Sequence, residues 1–465
     1  MALRERNVDV LSVLILSMAA ALTGLLAGLD PRFAIGGSLA VAMALLIVAD
    51  LAAGVTVFTL LTYFELLPGA SGPALSFTKL AGLILAVSWL ARITTRGDAR
   101  SLDFVRAHPN IAALLFLFLA WSGLSLFWSE SHPDAAEAFY RFVLNAVLLL
   151  IIFTAIRKPQ HAVHVFAAFV IGAAGAAAYG FTAGGGAEPY GEAARLSSDT
   201  QNADELASTL AAGLALSVGL FAISDRSPLM RVGAFATAAF CTYGVFLTVS
   251  RAGLIALLVT VAAAVVFGGR WRPQMLALAG VVAVSMVAYF GVYAPPEARE
   301  RVLSAQEDRG TGRIDIWTVG WRMVEDQPLR GVGAGNFPVS SIHYLLEPGA
   351  LPRSDFIVDT PKVAHNVYLG VLAELGIVGL ILFLGLIGSL IGCSVRAAGL
   401  FKRSGDWKME LLTRAHVAAL FGFMASLFFA SDEFKKQLWL LLAMGPALLL
   451  IAETGWRARN GHEER

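Results

Sequence analysis

The sequence predicts an all-α fold: a polytopic transmembrane helical bundle of about 12–14 spans with one large loop subdomain. Composition is the first reason. Of 465 residues, 57% are hydrophobic and 15% charged, against about 45–50% and about 25% in soluble domains. Mean hydropathy is +0.69. The second reason is spacing. The apolar residues fall into runs of about 20, the length a helix needs to cross the hydrocarbon of a bilayer. The third is the single polar stretch of about 70 residues, 294–363, late in the chain.

In order, the candidate spans are 8–28, 33–49, 51–67, 75–91, 110–128, 137–156, 161–182, 203–224, 230–249, 251–268, 274–293, 364–393, 411–430 and 437–453. Arg4 and Arg6 precede the first. Its apolar run is longer than a signal-peptide core of roughly 7–15 residues, so it reads as a retained helix. Only Asp50 breaks the stretch 33–67, which is either a short hairpin or one long tilted helix with a surface segment. Cys241 and Cys393 both lie in apolar runs, so no disulfide framework is implied. No internal repeat is visible.

Basic residues orient the chain. With the N-terminus inside, 20 Lys and Arg fall on inner segments and 7 on short outer ones, leaving aside 8 in the long loop. The loop 294–363 is then outer, which divides the chain into an N-terminal bundle (1–293), the outer loop subdomain (294–363) and C-terminal helices (364–456). Turn signals at Ala294-Pro295-Pro296, Gly310-Thr311-Gly312 and Gly331-Val332-Gly333-Ala334-Gly335 mark a small cap with a few helices. Residues 313–323 have helical apolar spacing. A glycine-rich outer loop covers about 183–202.

Three groups meet on this outer face. Arg251 lies in the tight link Val249-Ser250-Arg251-Ala252-Gly253, Arg313 follows Gly312 in the large loop, and His365 opens the twelfth span in Ala364-His365-Asn366-Val367-Tyr368-Leu369. A guanidinium grips phosphate at two points. Histidine removes a proton from a hydroxyl near neutral pH. Each residue taken alone has a plainer role: interfacial anchor for Arg251, surface ion pair for Arg313, helix cap for His365. Lys79 and Arg141, near the outer ends of spans four and six, fit either a lipid-diphosphate groove or headgroup anchoring. Asp432, beside Glu433, Lys435 and Lys436, is a weaker candidate in the last outer turn. Glu374 lies nine residues into the His365 helix and reads as a structural polar contact. Gly331–Gly335 is no nucleotide loop, since no strand precedes it; it reads as a turn that lets backbone approach closely. There is no Asp-x-Asp pair and no Cys/His cluster, so no metal site and no cofactor is expected. Net charge is +1, which gives no electrostatic reason for a nucleic-acid partner.

His365-Asn366-Val367-Tyr368-Leu369, with Glu374-Leu375-Gly376 and Gly379, resembles the O-antigen ligase and polymerase family of bacterial membrane glycosyltransferases. The resemblance continues in Gly312-Arg313, Trp317, Pro328-Leu329 and Gly331 through Phe337, and more loosely in Ser250-Arg251-Ala252-Gly253 and from Asn202. It covers about 200–440. It implies a multi-pass protein of the bacterial inner membrane with its active site on the periplasmic face. The implied reaction is an inverting, metal-independent transfer from a polyprenyl-diphosphate-linked glycan. In that reaction Arg251 and Arg313 hold the diphosphate and His365 is the base. The implied acceptor is lipid A-core in a ligase, or a second lipid-linked glycan in a repeat-unit polymerase. A lipid-linked-oligosaccharide flippase is the reading from a different class. The outer-face Arg/Arg/His set speaks against it, since a transporter places its charges along a midplane path.

Overall fold

The computed structural model describes residues 41–64, 77–95, 103–182, 195–198, 201–224, 227–303, 313–345 and 362–460. The expected span 8–28, the Gly310-Thr311-Gly312 turn and most of the 183–202 loop lie outside these residues. Among those described, every element is a helix apart from one isolated bridge, Ser198 to Gln201. A helical stretch over 41–49 is followed by α1 (Leu51–Leu61), α2 (Phe77–Thr95), α3 (Asp103–Ala107), α4 (Pro109–Leu124), α5 (His132–Ala155), α6 (Pro159–Thr182), α7 (Ala203–Ile223) and α8 (Pro228–Leu247). Then come α9 (Arg251–Phe267), α10 (Arg272–Ala288), α11 (Pro296–Leu303), α12 (Arg313–Asp326), α13 (Phe337–Leu345), α14 (Val367–Arg403), α15 (Trp407–Ser426) and α16 (Lys436–Asn460).

Eight of the described helices are long and apolar enough to cross a membrane. α2 and α15 have spanning length, 19 and 20 residues. Charged groups (Lys79 and Arg92; Lys408, Glu410 and Arg414) lower their hydropathy. At Asp50, where the sequence left a hairpin or one long helix open, the chain breaks between the helical stretch 41–49 and α1. Asp50 caps α1 by accepting the Ala52 N–H at 2.8 Å. From α2, Arg92 caps the preceding helix by donating to the Val48 and Ala49 carbonyls at 2.8 Å each. Side-chain caps start other helices too: Ser227 for α8, Ser250 for α9, Asn366 for α14 and Asp406 for α15.

α7 is the central helix, packed by α15, α8, α9 and α6. Its sequence is small and apolar all round, with Ala207, Leu210, Ala211 and Ala212 fully buried, the pattern of a helix enclosed on every side. Small residues let backbones close in. A Cβ at Gly253 would lie 2.2 Å from that of Ala207, so glycine there seats the start of α9 directly on α7.

α14 is broken at Gly376, which sits at φ +66°. The break frees backbone groups that a membrane helix must satisfy internally. The glycine-rich segment of the large loop supplies the partners. Val332 and Gly333 donate to the Ala373 and Glu374 carbonyls at 2.9 and 2.8 Å, and Ile377 donates to the Pro328 carbonyl at 2.9 Å. Trp121 of α4 donates to the Leu375 carbonyl at 2.8 Å. The Glu374 carboxylate accepts the Gly335 and Phe337 N–H groups at 2.7 and 3.2 Å. A Cβ at Gly331 would lie 2.4 Å from the Glu374 backbone. Glu374 is thus the structural contact its sequence context suggests, and 331–335 is the close-approach turn.

Candidate functional site

The loops that the sequence assigns to its outer side meet at one end of this bundle. The geometry starts with Asn202, the N-cap of α7. Its Oδ1 accepts the N–H groups of Asp204 and Glu205 at 3.0 Å each, and its Nδ2 donates to Glu205 Oε1 at 3.0 Å. This reciprocal cap presents two carboxylates at a helix N-terminus, where the dipole favours negative charge.

Asp204 holds two arginines. Arg195 Nη2 donates to Oδ1 at 2.6 Å and Arg313 Nη2 donates to Oδ2 at 2.9 Å. Arg195 is fixed a second time, through Nε to the Thr248 carbonyl at 3.0 Å. Glu205 pairs with Lys435, whose ammonium is 3.7 Å from Asp432 Oδ1. Asp432 is buried. Burial first, then Glu205 and Asp204, push its carboxyl up to about 6, against the pull of Lys435. Neighbouring Glu433 is pushed up to about 7, chiefly by burial, with Asp432 adding and Arg141 opposing.

His365 faces this cluster. Trp317 of α12 donates to the Ala364 carbonyl at 3.0 Å, tying Arg313's helix to the histidine. The His365 N–H donates to Ser431 Oγ at 2.9 Å. Asn366 then starts α14 by accepting the N–H groups of Tyr368 and Leu369 at 3.0 and 3.1 Å. Burial lowers the His365 pKa from the ordinary 6.5. Arg313 and Lys362 push the same way and Asp204 opposes them. The imidazole is therefore neutral at neutral pH, the form that accepts a proton. His365 and Val249 are the two non-glycine residues with positive φ among those described, both at +47°. Each stands immediately before an N-cap, Asn366 and Ser250. Such a conformation costs on the order of 1–3 kcal/mol and gathers at functional sites; for β-branched Val249 it is an outlier.

Of the residues singled out from sequence, Arg313 is paired with Asp204, Asp432 is linked through Lys435 to the adjacent Glu205, and His365 is tied by its backbone N–H to Ser431, the neighbour of Asp432. Arg251 is the first residue of α9, and its Nε donates to the Arg301 carbonyl of α11 at 2.7 Å. Arg141 borders the cluster: it pairs with Glu137 and lies 5.5 Å from the Phe434 ring centre. Lys79 is exposed on the first turn of α2, which packs on α1 and α5. Asp204, Glu205 and Arg195 were not singled out. The signal for Asp204 was present in Asn202-Ala203-Asp204-Glu205, a capping box opening an apolar run. Arg195 carried none, being one arginine in a polar loop.

Beside the cluster an open cavity of about 880 Å³ lies between α7, α8 and α10. Phe235, Thr242, Phe246, Leu247, Tyr289 and Tyr293 line much of it. Leu247 adjoins Thr248, the residue that holds Arg195. Among the described residues no group of three or more His, Cys, Asp or Glu is placed to hold a metal ion.

Residues 236–384 match the family described as O-antigen ligase. That segment belongs to the O-antigen ligase family. It contains Arg251, Arg313, His365 and the Glu374–Gly376 break. Arg195, Asp204, Asp432 and Lys435 lie outside the O-antigen ligase match. No curated protein matches the chain.

Proposed function

We propose that this protein is an inverting glycosyltransferase of the ligase type. It moves a glycan from a polyprenyl-diphosphate carrier to an acceptor hydroxyl, with lipid A-core as acceptor, at the periplasmic face of a bacterial inner membrane. One observation supports the reading: a neutral histidine, His365, and an arginine paired with a carboxylate, Arg313, lie at a polar cluster at the edge of a large apolar cavity. A lipid diphosphate has that same division, an anionic head and an apolar tail.

The chemistry follows in one displacement. His365 takes the proton of the acceptor hydroxyl as its oxygen attacks the anomeric carbon. The bond from that carbon to the diphosphate oxygen breaks, and polyprenyl diphosphate leaves with the electron pair. Attack opposite the leaving group inverts the anomeric centre. Negative charge grows on the leaving group, where fixed positive charge stabilises the transition state. Arg313 supplies it from the cluster and Arg251 from the start of α9, so the reaction needs no metal ion.

The test is reconstitution in vesicles containing EDTA, a polyprenyl-diphosphate-linked glycan and lipid A-core. The expected result is glycan on the core together with free polyprenyl diphosphate. Longer glycan on the carrier, formed without core, assigns the protein to repeat-unit polymerisation instead. Activity that returns only with magnesium or manganese overturns the metal-free mechanism. Movement of the lipid-linked glycan across the bilayer with no release of polyprenyl diphosphate assigns the chain to the transporter class.

A further inference from the structure

We infer that the opposite end of the bundle, which the sequence assigns to the inner side, carries a binding site for an anionic phospholipid. Arg270, Arg272 and Arg414 build it around the turn between α9 and α10. The site is independent of the glycan chemistry at the other end.

Each of the three arginines is held in place. Glu410, in the first turn of α15, is buried, and its Oε2 accepts from Arg270 Nη2 and its Oε1 from Arg414 Nε, at 3.0 Å each. Arg414 Nη1 also donates to the Phe267 carbonyl, and Arg272 Nη2 donates to the Val266 carbonyl at 3.0 Å. Gly269, at φ +57°, makes room for this arrangement: a Cβ there would lie 3.0 Å from Arg414 Cζ. The carbonyls that end α9 attract cations, which accounts for the position of the arginines and not for their number. Three arginines against one carboxylate leave two positive charges uncompensated within the cluster. Asp406, the next carboxylate before Glu410, is taken up in capping α15 through the Met409 N–H at 3.2 Å. A guanidinium has five N–H donors, and these bonds use one on Arg270, one on Arg272 and two on Arg414. Arg270 is 53% exposed and Arg272 is exposed, so both keep donors at the surface. A guanidinium already fixed in place loses little freedom when it grips a phosphate.

The surroundings fit a phospholipid. Arg270 lies over the Trp271 ring at 4.3 Å, and Lys408 lies over the Trp407 ring at 5.5 Å. Indoles beside cations are the composition of a membrane–water boundary. Arg272 heads an outward stripe of α10 at helical spacing, with Leu276, Val284 and Val287 all exposed along it. Val266, whose carbonyl holds Arg272, is an exposed apolar residue of α9. Acyl chains laid on these faces bring the phosphate to Arg272 and Arg270. The uncompensated charge then selects the lipid. Phosphatidylglycerol brings a net negative charge, whereas phosphatidylcholine brings its phosphate with an ammonium that the arginines repel.

The test is binding of phosphatidylglycerol and phosphatidylcholine to the full-length protein, delipidated in a non-ionic detergent and read by native mass spectrometry. The readout is the ratio of their dissociation constants. One cation near a membrane surface is worth about fivefold in affinity for an anionic lipid. Wild type should therefore favour phosphatidylglycerol by at least about tenfold, and Arg270→Gln and Arg272→Gln should each cut that preference about fivefold. Arg459→Gln is the control. It removes an exposed cation at the same end of the bundle, on α16, which packs on α14 and α5, and it should change the ratio less than about twofold. A variant that merely loosens the fold lowers both affinities and leaves the ratio in place. If Arg270→Gln fails to fold, Arg272→Gln, whose partner is a backbone carbonyl, decides by the same ratio. Equal shifts in all three variants mean diffuse surface charge and overturn the site, as does a wild-type ratio near one. Release of the lipid by inorganic phosphate at constant ionic strength makes the cluster a site for a soluble anion and overturns the lipid.

Discussion

Two arginine–carboxylate–arginine clusters stand at opposite ends of the bundle, and their chemistry is nearly the same. At one end Asp204 bridges Arg195 and Arg313. At the other Glu410 bridges Arg270 and Arg414, each at 3.0 Å. Gly219, near the end of α7, packs on Leu412 and Ala415 beside Glu410, so α7 carries Asp204 at its start and the second cluster near its finish. The surroundings differ. Glu410 is 1% exposed, Arg414 also donates to the Phe267 carbonyl, and Arg270 lies over the Trp271 ring at 4.3 Å. This network ties α9, α15 and the turn before α10 together. The Asp204 cluster is part-open and has a neutral histidine, two left-handed residues and a large cavity beside it. Ion pairing alone therefore says little about role. Access, a titratable neighbour and backbone strain mark the Asp204 cluster off from the Glu410 network.

The sharpest break between the two ends is His365→Ala. It should lower transfer by at least about 100-fold, the contribution of a general base, at normal membrane abundance. The side chain is part-exposed at a helix mouth and leaves no core cavity. More than about a tenth of wild-type activity removes the base from the mechanism. The same residue sets the pH profile. Its pKa is lowered, so the active neutral form persists as pH falls, and the acid limb of kcat/KM should lie below 6.5. Asp204→Asn removes the group that opposes the lowering and should move that limb to still lower pH.

Next come Arg251→Lys and Arg313→Lys. Each should cost about 10- to 100-fold in kcat/KM for the lipid-linked donor, since a fork grips a diphosphate where an ammonium acts as a point charge. Wild-type kinetics in both variants make these arginines anchors.

Glu410→Gln inverts the expectation. It leaves two arginines facing a neutral amide and should cost about 3 kcal/mol. That is the low end for breaking a buried pair, because Arg270 is 53% exposed. A melting curve reads the loss, and kcat/KM of the folded fraction should stay within about twofold. A large fall in kcat/KM at unchanged stability erases the distinction between the ends.

The smallest effect belongs to Glu433→Gln. The carboxyl is raised from 4.5 to about 7, so the fold favours its neutral form. As pH rises above 4.5 the unfolded chain ionises while the folded one keeps its proton, and stability falls until about pH 7. The glutamine variant has no such loss. It should melt like wild type at pH 5 and be more stable at pH 8 by about 1–3 kcal/mol, since one pKa unit is about 1.4 kcal/mol. Equal stability at both values places Glu433 in a wetter site than its burial indicates.

Sequence by itself determined the class of fold. Runs of about 20 apolar residues admit few alternatives in a bilayer, because backbone groups there must be satisfied within the segment. Most helices from 75 onward lie within a few residues of their expected bounds. His365, Arg313 and Arg251 were singled out because their motifs are local: a cap, a glycine turn, a tight link. Tertiary structure alone decided which polar groups meet. Arg195 reaches Asp204 over 9 positions and Arg313 reaches it over 109, and no local pattern encodes a pairing across such a loop. The break at Gly376 is the same lesson. Sequence showed a glycine in a long apolar helix. Only the folded chain shows that residues 328–333 fill the gap, because the freed carbonyls must find donors and the nearest ones come from a loop some 40 residues upstream.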